Sequence, residues 1–165
     1  MEPETTVYQD FITSPVGYWT ISASSKGLTA IDFSIEQPVL SHKSNELTLS
    51  AKEQLAAYFA KKRKDFGLPL DLDKHPPFFL AVWKELQNIQ FGAMTSYGTI
   101  ALNLNNPKAV RAVGMANGKN PLPLIIPCHR VIGKNRSLTG YAHGLEVKRW
   151  LLEHEGAIAS TPTLF

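Results

Sequence analysis

Residues 95–118 read TSYGTIALNLNNPKAVRAVGMANG, and this stretch predicts two short helices joined by a tight turn. Either Thr95 or Ser96 can cap the first helix, because a hydroxyl oxygen accepts a hydrogen bond from an N–H group at a helix start. The second helix is predicted to begin at Asn106-Pro107, since asparagine is a good N-cap and proline is favoured at the first helical position. Two such helices after a preceding helix have the layout of a helix-turn-helix module.

The second helix, predicted over 107–117, has two different faces. At about 100° per residue, its small apolar face consists of Ala109, Ala112, Val113 and Ala116. Arg111 lies on the opposite face, close to Gly114 and Gly118. A backbone that carries no side chains can approach another surface closely, and a DNA groove is one such surface. The pattern alone favours a simpler interpretation, a solvated arginine beside glycines near a helix end.

The first third of the chain favours a small sheet. Apolar residues alternate between turn signals at 15–17 and 24–27, which predicts two or three antiparallel strands. A helix with a basic end is predicted at about 48–63. Glycine, proline and aspartate recur throughout residues 64–77, and this composition is typical of a linker.

The second part of the chain opens with a helix. Its apolar stripe is formed by Phe79, Val82, Trp83 and Leu86. We therefore expect two domains, a small N-terminal α/β domain over 1–74 and a C-terminal domain over 75–165 that contains the helix-turn-helix.

The composition is that of a globular protein with a single cysteine. Hydrophobic residues make up 44% of the 165 residues, and no apolar run approaches the roughly 20 residues of a membrane-spanning helix. The acidic, polar residues 1–5 do not resemble a secretory signal. One cysteine fits a reducing compartment and argues against a cysteine-rich zinc site. We expect a protein of the cytoplasm, or of the nucleus in a eukaryote, with no membrane contact and no metal.

The formal net charge of +3 permits a polyanion as partner without requiring one. The cations are concentrated in two places. Residues 61–64 read Lys-Lys-Arg-Lys. The stretch 108–149 holds Lys108, Arg111, Lys119, Arg130, Lys134, Arg136, Lys148 and Arg149. Many small enzymes have similar clusters, so the charge only supports a nucleic-acid partner.

The only thiol lies in residues 120–132, which read NPLPLIIPCHRVI. Three prolines predict a rigid segment that is neither a regular helix nor a central strand. Cysteine reacts as the thiolate, and a free thiol with a pKa of about 8.5 holds little thiolate at neutral pH. His129 and Arg130 are candidates to activate Cys128, but adjacency in sequence does not establish contact. The pattern alone favours a buried structural cysteine.

A last helix, predicted at about 145–155, offers a group that could orient the histidine. Its apolar stripe is formed by Val147, Trp150, Leu151 and His154. Glu155 lies beside this stripe, and Gly156 is typical of a C-terminal cap. A Cys-His-Glu relay is compatible with this pattern. A glutamate at this position is usually solvated, and the spacing alone does not show the relay.

Taken together, these residues resemble a known family. The hexapeptide at 126–131, IPCHRV, resembles the active-site signature of the O6-alkylguanine-DNA alkyltransferases, also called methylated-DNA–protein-cysteine methyltransferases. Further blocks follow the family's order: Phe91-Gly92, Ser96-Tyr97-Gly98, Arg111-Ala112-Val113-Gly114, Asn120-Pro121, Gly140-Tyr141, Gly144 and 151–156. The resemblance is strong over 76–165 and weaker over 1–74. It implies an α/β (α+β) fold with two domains, a small antiparallel-sheet domain of the RNase H-like kind and a C-terminal winged helix-turn-helix domain.

The resemblance also implies catalytic roles. Cys128 would accept the alkyl group, His129 would act through a water as its base, and Glu155 would orient the histidine. Asn120 would support the turn that carries the cysteine. Tyr97 would assist the leaving guanine by giving a proton to its ring.

The resemblance implies DNA and substrate contacts as well. Arg111 would enter the duplex from the minor groove and fill the place of an extruded nucleotide. The other DNA-contacting residues that we expect are Ser96, Ala112, Gly114 and Asn117. The pocket for the alkyl group would be walled by Val131 and the 133–144 loop, with Tyr141, Ala142 and His143. His143 stands where the family usually has glycine, so we expect altered tolerance for bulky O6 adducts.

The implied activity is direct-reversal DNA repair. An alkyl group would move irreversibly from O6-alkylguanine, and from O4-alkylthymine, in double-stranded DNA to Cys128. The base would be flipped out of the stack, at a cost of a few kcal/mol. Each molecule would act once, as a monomer that can bind DNA cooperatively, and no cofactor would be required.

The residues leave three alternatives. A non-catalytic lesion-binding protein of the same fold would not need Cys128. A cysteine hydrolase using Cys128 and His129 would need an oxyanion hole and would leave Arg111 unexplained. A transcription factor would read a specific sequence in the major groove.

Overall fold

A three-stranded antiparallel sheet forms around the turn at Pro15-Val16. The computed structural model describes residues 6–133, 138 and 140–160. The strands are β1 (Tyr8–Ser14), β2 (Gly17–Ala23) and β3 (Leu28–Ser34), and their order in the sheet is β1-β2-β3. The central strand β2 buries Trp19 and Ile21 completely, and the Trp19 ring packs against Phe33 with their centroids 4.8 Å apart.

The helix α1 (Glu46–Phe59) covers β1 and β2. A capping box starts the helix. The Asn45 side chain accepts a hydrogen bond from the Thr48 N–H at 2.9 Å, and the Thr48 hydroxyl accepts one from the Asn45 N–H at 2.9 Å. Leu55 and Tyr58 then lie on the buried face of α1.

The predicted end of this helix, at about 63, was wrong. The helix ends at Phe59 because Lys61 adopts the left-handed conformation, with a φ of 61°. The Lys61 N–H donates to the Tyr58 carbonyl at 3.1 Å and the Lys62 N–H to the Ala57 carbonyl at 2.8 Å, which is the closure of a Schellman motif. The basic run at 61–64 therefore lies beyond the helix rather than in its last turn.

Three helices that pack on one another form the core of the second half. These are α2 (Pro77–Leu86), α3 (Tyr97–Asn103) and α4 (Val110–Gly118). The Trp83 indole N–H is buried and donates to the Ala116 carbonyl at 2.8 Å, which joins α2 to α4. Ser96 is the N-cap of α3, and its hydroxyl accepts from the Thr99 N–H at 3.1 Å. The order α2-α3-α4 corresponds to the predicted helix-turn-helix with its preceding helix.

The second helix of the module begins at Val110, three residues later than predicted. Residues 106–109 form a turn instead, closed by a 3.0 Å hydrogen bond from the Ala109 N–H to the Asn106 carbonyl. Asparagine followed by proline is favoured at the first two positions of a β-turn as well as at a helix start. The helix is also rotated from the prediction, because Ala112 is exposed and the buried residues are Val113, Ala116 and Asn117.

The segment with the cysteine leads into a second, parallel pair of strands. Cys128–Arg130 form a 3₁₀ turn, and β5 (Val131–Ile132) then pairs with β4 (Thr95–Ser96). The helix α5 (Leu145–His154) follows, and its buried stripe is formed by Val147, Lys148, Leu151 and Leu152. The predicted stripe was partly wrong. Trp150 and His154 are half-buried and stack on each other with their ring centroids 4.7 Å apart.

The chain forms two compact units. Among the described residues, the first contains residues 6–74 together with Pro121–Ile125, and the second contains His75–Asn120 and the residues from Ile126 onward. The segment Pro121–Ile125 contacts the rest of the first unit at β3, where the Pro121 carbonyl accepts a hydrogen bond from the Ile31 N–H at 2.8 Å. Among the helices of the described residues, none has the length and apolar character needed to span a bilayer.

Candidate active site

Two asparagines hold the turn that presents the thiol. The Asn120 side-chain N–H donates to the Ile126 carbonyl at 2.7 Å, and Asn120 also hydrogen-bonds to the Cys128 thiol. The Asn117 side-chain N–H reaches the Cys128 carbonyl at 3.4 Å. Asn117, which the sequence analysis expected to contact DNA, is buried and lies against the turn that carries the cysteine.

Glu155 brings together the two residues that follow the cysteine. Its Oε2 atom is 2.8 Å from Nε2 of His129. The Arg130 guanidinium donates to both carboxylate oxygens, from Nε at 2.8 Å and from Nη2 at 2.9 Å. Nη1 of Arg130 donates to the Ile89 carbonyl at 2.6 Å. Arg130, a candidate activator of the thiol in the sequence analysis, is therefore engaged with Glu155 instead.

This network determines which atom of His129 can accept a proton. Burial by itself raises the pKa of the Glu155 carboxyl, but the interactions with His129 and Arg130 outweigh burial and hold that pKa well below its usual range. Burial lowers the pKa of His129. A neutral ring that donates from Nε2 to the carboxylate keeps Nδ1 as its acceptor. Nδ1 is buried and has no hydrogen-bond partner among the described residues.

The Cys128 thiol is protonated at neutral pH. Only 4% of the residue is exposed, and burial raises the pKa of the thiol to about 11. The Asn120 hydrogen bond, the charge of Lys148 and nearby backbone N–H groups act in the opposite direction. A base is therefore needed to generate the thiolate, and the groups that favour it once formed are already in place.

Lys148 is a member of this site that sequence reasoning missed. Its ammonium group is buried and donates to the Val131 carbonyl at 2.6 Å. Burial lowers the pKa of this lysine from 10.5 to about 8, while the neighbouring Cys128 raises it. The available signal was its position on α5, three and four residues before the buried Leu151 and Leu152, where a helical stripe predicts an apolar residue.

We expect the thiol to react slowly at neutral pH and faster as the pH rises toward 11, because a raised pKa moves thiolate formation to alkaline solution. Lys148→Met removes the favourable charge, which the lysine carries below its own pKa of about 8, and should slow the reaction at neutral pH. The rate of Cys128 carbamidomethylation by iodoacetamide, followed from pH 6 to 11 by mass, measures both effects. Lys84→Met, on the exposed face of α2, is the control. A rate that levels off near pH 8 would contradict this account.

Tyr97 lies at the start of α3 between two glycines. A Cβ atom placed on Gly140 would be 3.4 Å from the Tyr97 hydroxyl oxygen, and one placed on Gly114 would be 4.0 Å from its ring. Gly140 therefore lies directly against the Tyr97 hydroxyl, and Gly114 of α4 lies beside its ring. The pairing of Ser96 with Ile132 ties this start of α3 to the strand that follows the cysteine.

The described part of the predicted pocket wall is compact. Val131 and Tyr141 are buried, and the half-buried His143 ring lies edge-on to Tyr141 with their centroids 5.2 Å apart. Ala142 is exposed. Within the predicted 133–144 wall, residues 134–137 and 139 lie outside the described residues.

The exposed face of α4 carries one long cation among small and apolar residues. Its exposed residues are Val110, Arg111, Ala112, Met115 and Gly118. Nothing lies within 4 Å of a Cβ atom placed on Gly118. Arg111 therefore projects from a narrow ridge, as the sequence predicted, although Ala112 is part of that ridge rather than of the buried face.

An open cavity of about 330 Å³ in the second unit is not part of this site. Its lining includes Glu85, Asn88, Ile89, Thr95 and Asn103. Cys128 and the other predicted site residues do not line it.

Comparison with known proteins identifies the family. Residues 7–72 match the family model described as "6-O-methylguanine DNA methyltransferase, ribonuclease-like domain", and residues 77–157 match "6-O-methylguanine DNA methyltransferase, DNA binding domain". The chain belongs to this family. A relative from Haemophilus influenzae, named methylated-DNA–protein-cysteine methyltransferase, is 44% identical over 157 residues, which are 92% of this chain and 87% of that protein.

Solved structures of this methyltransferase family have the same fold as this chain. A crystal structure of Mycobacterium tuberculosis O6-methylguanine methyltransferase has a TM-score of 0.81 and 40% identity, covering 95% of this chain and 97% of that one. A crystal structure of Mycobacterium tuberculosis OGT in complex with DNA has a TM-score of 0.80 and 42% identity. The match covers 90% of this chain and 92% of that one. The predicted family, its enzyme class and the predicted fold class are confirmed.

Proposed function

We propose that this protein repairs alkylated double-stranded DNA by moving the alkyl group from O6 of guanine, and from O4 of thymine, to Sγ of Cys128. The observation that carries the proposal is the buried Cys128 beside the His129–Glu155–Arg130 network, in a chain of this family. The relatives' names and the DNA complex of the Mycobacterium tuberculosis protein support DNA as the partner. The protein acts as a monomer in the cytoplasm and needs no cofactor.

The transfer is a displacement at carbon. His129 Nδ1 takes the thiol proton through a water molecule, and the imidazolium that forms is stabilised by the Glu155 carboxylate at Nε2. A C–S bond forms as the C–O bond to the base breaks, and the bonding pair remains on the base. The Tyr97 hydroxyl gives a proton to the guanine ring as this charge develops. The thioether has no easy reverse reaction, so each molecule acts once.

Arg130 is a positioning residue in this mechanism. Its guanidinium contacts both oxygens of Glu155 and the Ile89 carbonyl, which fixes the carboxylate in one orientation. Because Glu155 stays ionised, the Nε2–H tautomer of His129 is the favoured one. The proton-accepting nitrogen is then the one that has no protein partner among the described residues.

The ridge on α4 is the DNA-contacting surface. The alkylated oxygen lies inside the base stack, so the nucleotide must leave the stack at a cost of a few kcal/mol. Arg111 fills the space that this nucleotide vacates. The small residues Ala112 and Gly118 let the helix enter the narrow minor groove, where binding is weakly sequence-selective and weakens as salt rises.

Arg111→Ala is expected to slow transfer from an O6-methylguanine duplex at least about tenfold. Without the arginine, no side chain fills the space that the extruded nucleotide leaves in the base stack. Transfer from free O6-benzylguanine should stay unchanged, since no stack has to be opened. Lys119→Ala, an exposed cation just beyond the same helix, controls for charge alone. Equal loss with both substrates would show that Arg111 acts on the chemistry or the fold instead.

Titration of a fixed amount of protein with O6-methylguanine duplex tests the proposed function itself. Repaired sites should level off at one per protein molecule, and a duplex containing O4-methylthymine should give the same limit. More than one repaired site per molecule would show catalytic turnover. Binding without repair would support the lesion-binding alternative. Either result contradicts the proposal.

A further inference from the structure

A cluster of cations in the first unit has no part in the proposed mechanism. Residues 61–64, Lys-Lys-Arg-Lys, form what we call the basic tetrad. Residues 6–74 hold eight lysines and arginines and eight aspartates and glutamates, so this part of the chain is neutral as a whole. Half of its cations are nevertheless consecutive, which makes the tetrad a strongly localised positive charge.

The side chains of the tetrad face solvent. Lys61, Lys62 and Lys64 are exposed, and Lys61 and Lys62 make no ion pair among the described residues. Elsewhere in the same unit, Lys52 pairs with Asp10 at 3.2 Å. Nε of Arg63 donates to the Asp65 carbonyl at 2.6 Å, which holds the tetrad's own loop in place.

The tetrad also lies on unfavourable backbone. Lys61 occupies the left-handed position of the Schellman motif, with a φ of 61°, where glycine is strongly favoured. Adjacent like charges repel one another in addition. Two destabilising features coincide at one exposed place, and glycine or a neutral residue would relieve them. Strain retained at an exposed site is an observation from which a functional role can be inferred.

We propose that the basic tetrad is a second contact with DNA phosphates, carried by the first unit in addition to the α4 ridge of the second. The inference rests on the proposed function, which makes DNA the polyanion that the protein meets. Lysines are flexible point charges that neutralise phosphates without reading bases. The contact therefore increases affinity for any duplex and leaves the recognition of the lesion to the second unit.

The test is the salt dependence of binding to an unmodified duplex, measured by fluorescence anisotropy. The variant K61Q/K62Q/K64Q removes three charges from the tetrad. The matched control, K26Q/K43Q/K74Q, removes three charges from exposed, dispersed lysines of the same unit. Each phosphate contact contributes about 0.9 to the magnitude of the slope of log K against log salt concentration. We therefore expect the slope of the tetrad variant to be smaller in magnitude by about 2 to 3. Its affinity should fall about tenfold or more at about 0.15 M salt.

The control should keep both the slope and the affinity of the unsubstituted protein. A tetrad variant that changes no more than the control overturns the inference, and this includes the case in which the tetrad serves an acidic protein. Transfer from free O6-benzylguanine should be equal in all three proteins. If the unsubstituted protein makes no such transfer, the proposed function fails, while the salt slopes still decide the role of the tetrad.

Lys61→Gly separates binding from stability. Glycine relieves the left-handed strain, so the thermal midpoint should rise by about 2–4 °C. The loss of one phosphate contact should lower the salt slope by about 0.9. A purely structural role would leave the DNA slope unchanged, and that result would count against the inference.

Discussion

Cys128→Ser is expected to abolish alkyl transfer while the protein still folds and binds DNA. A hydroxyl has nearly the size of a thiol but is a much weaker acid and nucleophile, so His129 cannot generate a reactive oxyanion at neutral pH. The Asn120 amide, which hydrogen-bonds to the thiol, can donate to the hydroxyl in the same way. Methyl loss from an O6-methylguanine duplex, separated from the intact strand by chromatography, measures the effect.

The control for this variant is its own DNA binding. Anisotropy with the same duplex should give an affinity within about twofold of the unsubstituted protein, since Arg111 and the α4 ridge are unchanged. The sequence holds one cysteine, so no second thiol can take over the reaction. Transfer at an undiminished rate would show that the acceptor is another group.

Glu155→Gln is expected to slow transfer at least about 100-fold and to destabilise the fold by about 3–5 kcal/mol. The amide cannot balance the imidazolium that forms on His129, which accounts for the rate. It also leaves the buried Arg130 guanidinium without its counter-ion, which accounts for the stability. Single-turnover kinetics and urea unfolding measure the two effects. Glu146→Gln, on the exposed first turn of α5, is the control.

A double variant separates the two effects of this change. Arg130→Met with Glu155→Gln removes both buried charges, and much of the stability should return, because no uncompensated buried charge remains. The transfer rate should remain low, because His129 still lacks its carboxylate. Recovery of the rate together with the stability would show that Glu155 serves only the fold.

Local patterns predicted much of the architecture. Turn residues at 15–17 and 24–27 delimited the three strands, and Ser96 was a predicted cap of α3. The predictions were wrong where one sequence signal is compatible with two local structures. Asn106-Pro107 favours a turn as well as a helix start, and the helical pattern through Lys61 gave no sign that this residue closes α1 in a left-handed conformation.

The site was harder to predict than the fold, because its contacts are long-range. His129 and Glu155 are 26 positions apart, and only the packing of α5 against the 3₁₀ turn makes them neighbours. Arg130 shares this carboxylate, which adjacency to Cys128 did not reveal. Lys148 was missed because a buried ammonium group is rare unless a partner compensates it, and its partner is the backbone carbonyl of Val131.

Intact mass after reaction with an O6-methylguanine duplex tests the central claim most directly. The protein should gain the mass of one methyl group in place of one proton, in a yield that follows the amount of lesion added. Fragmentation of the peptide around Cys128 should place the methyl group on its sulfur. An unchanged protein mass with a repaired duplex, or a methyl group on any other residue, would contradict the account.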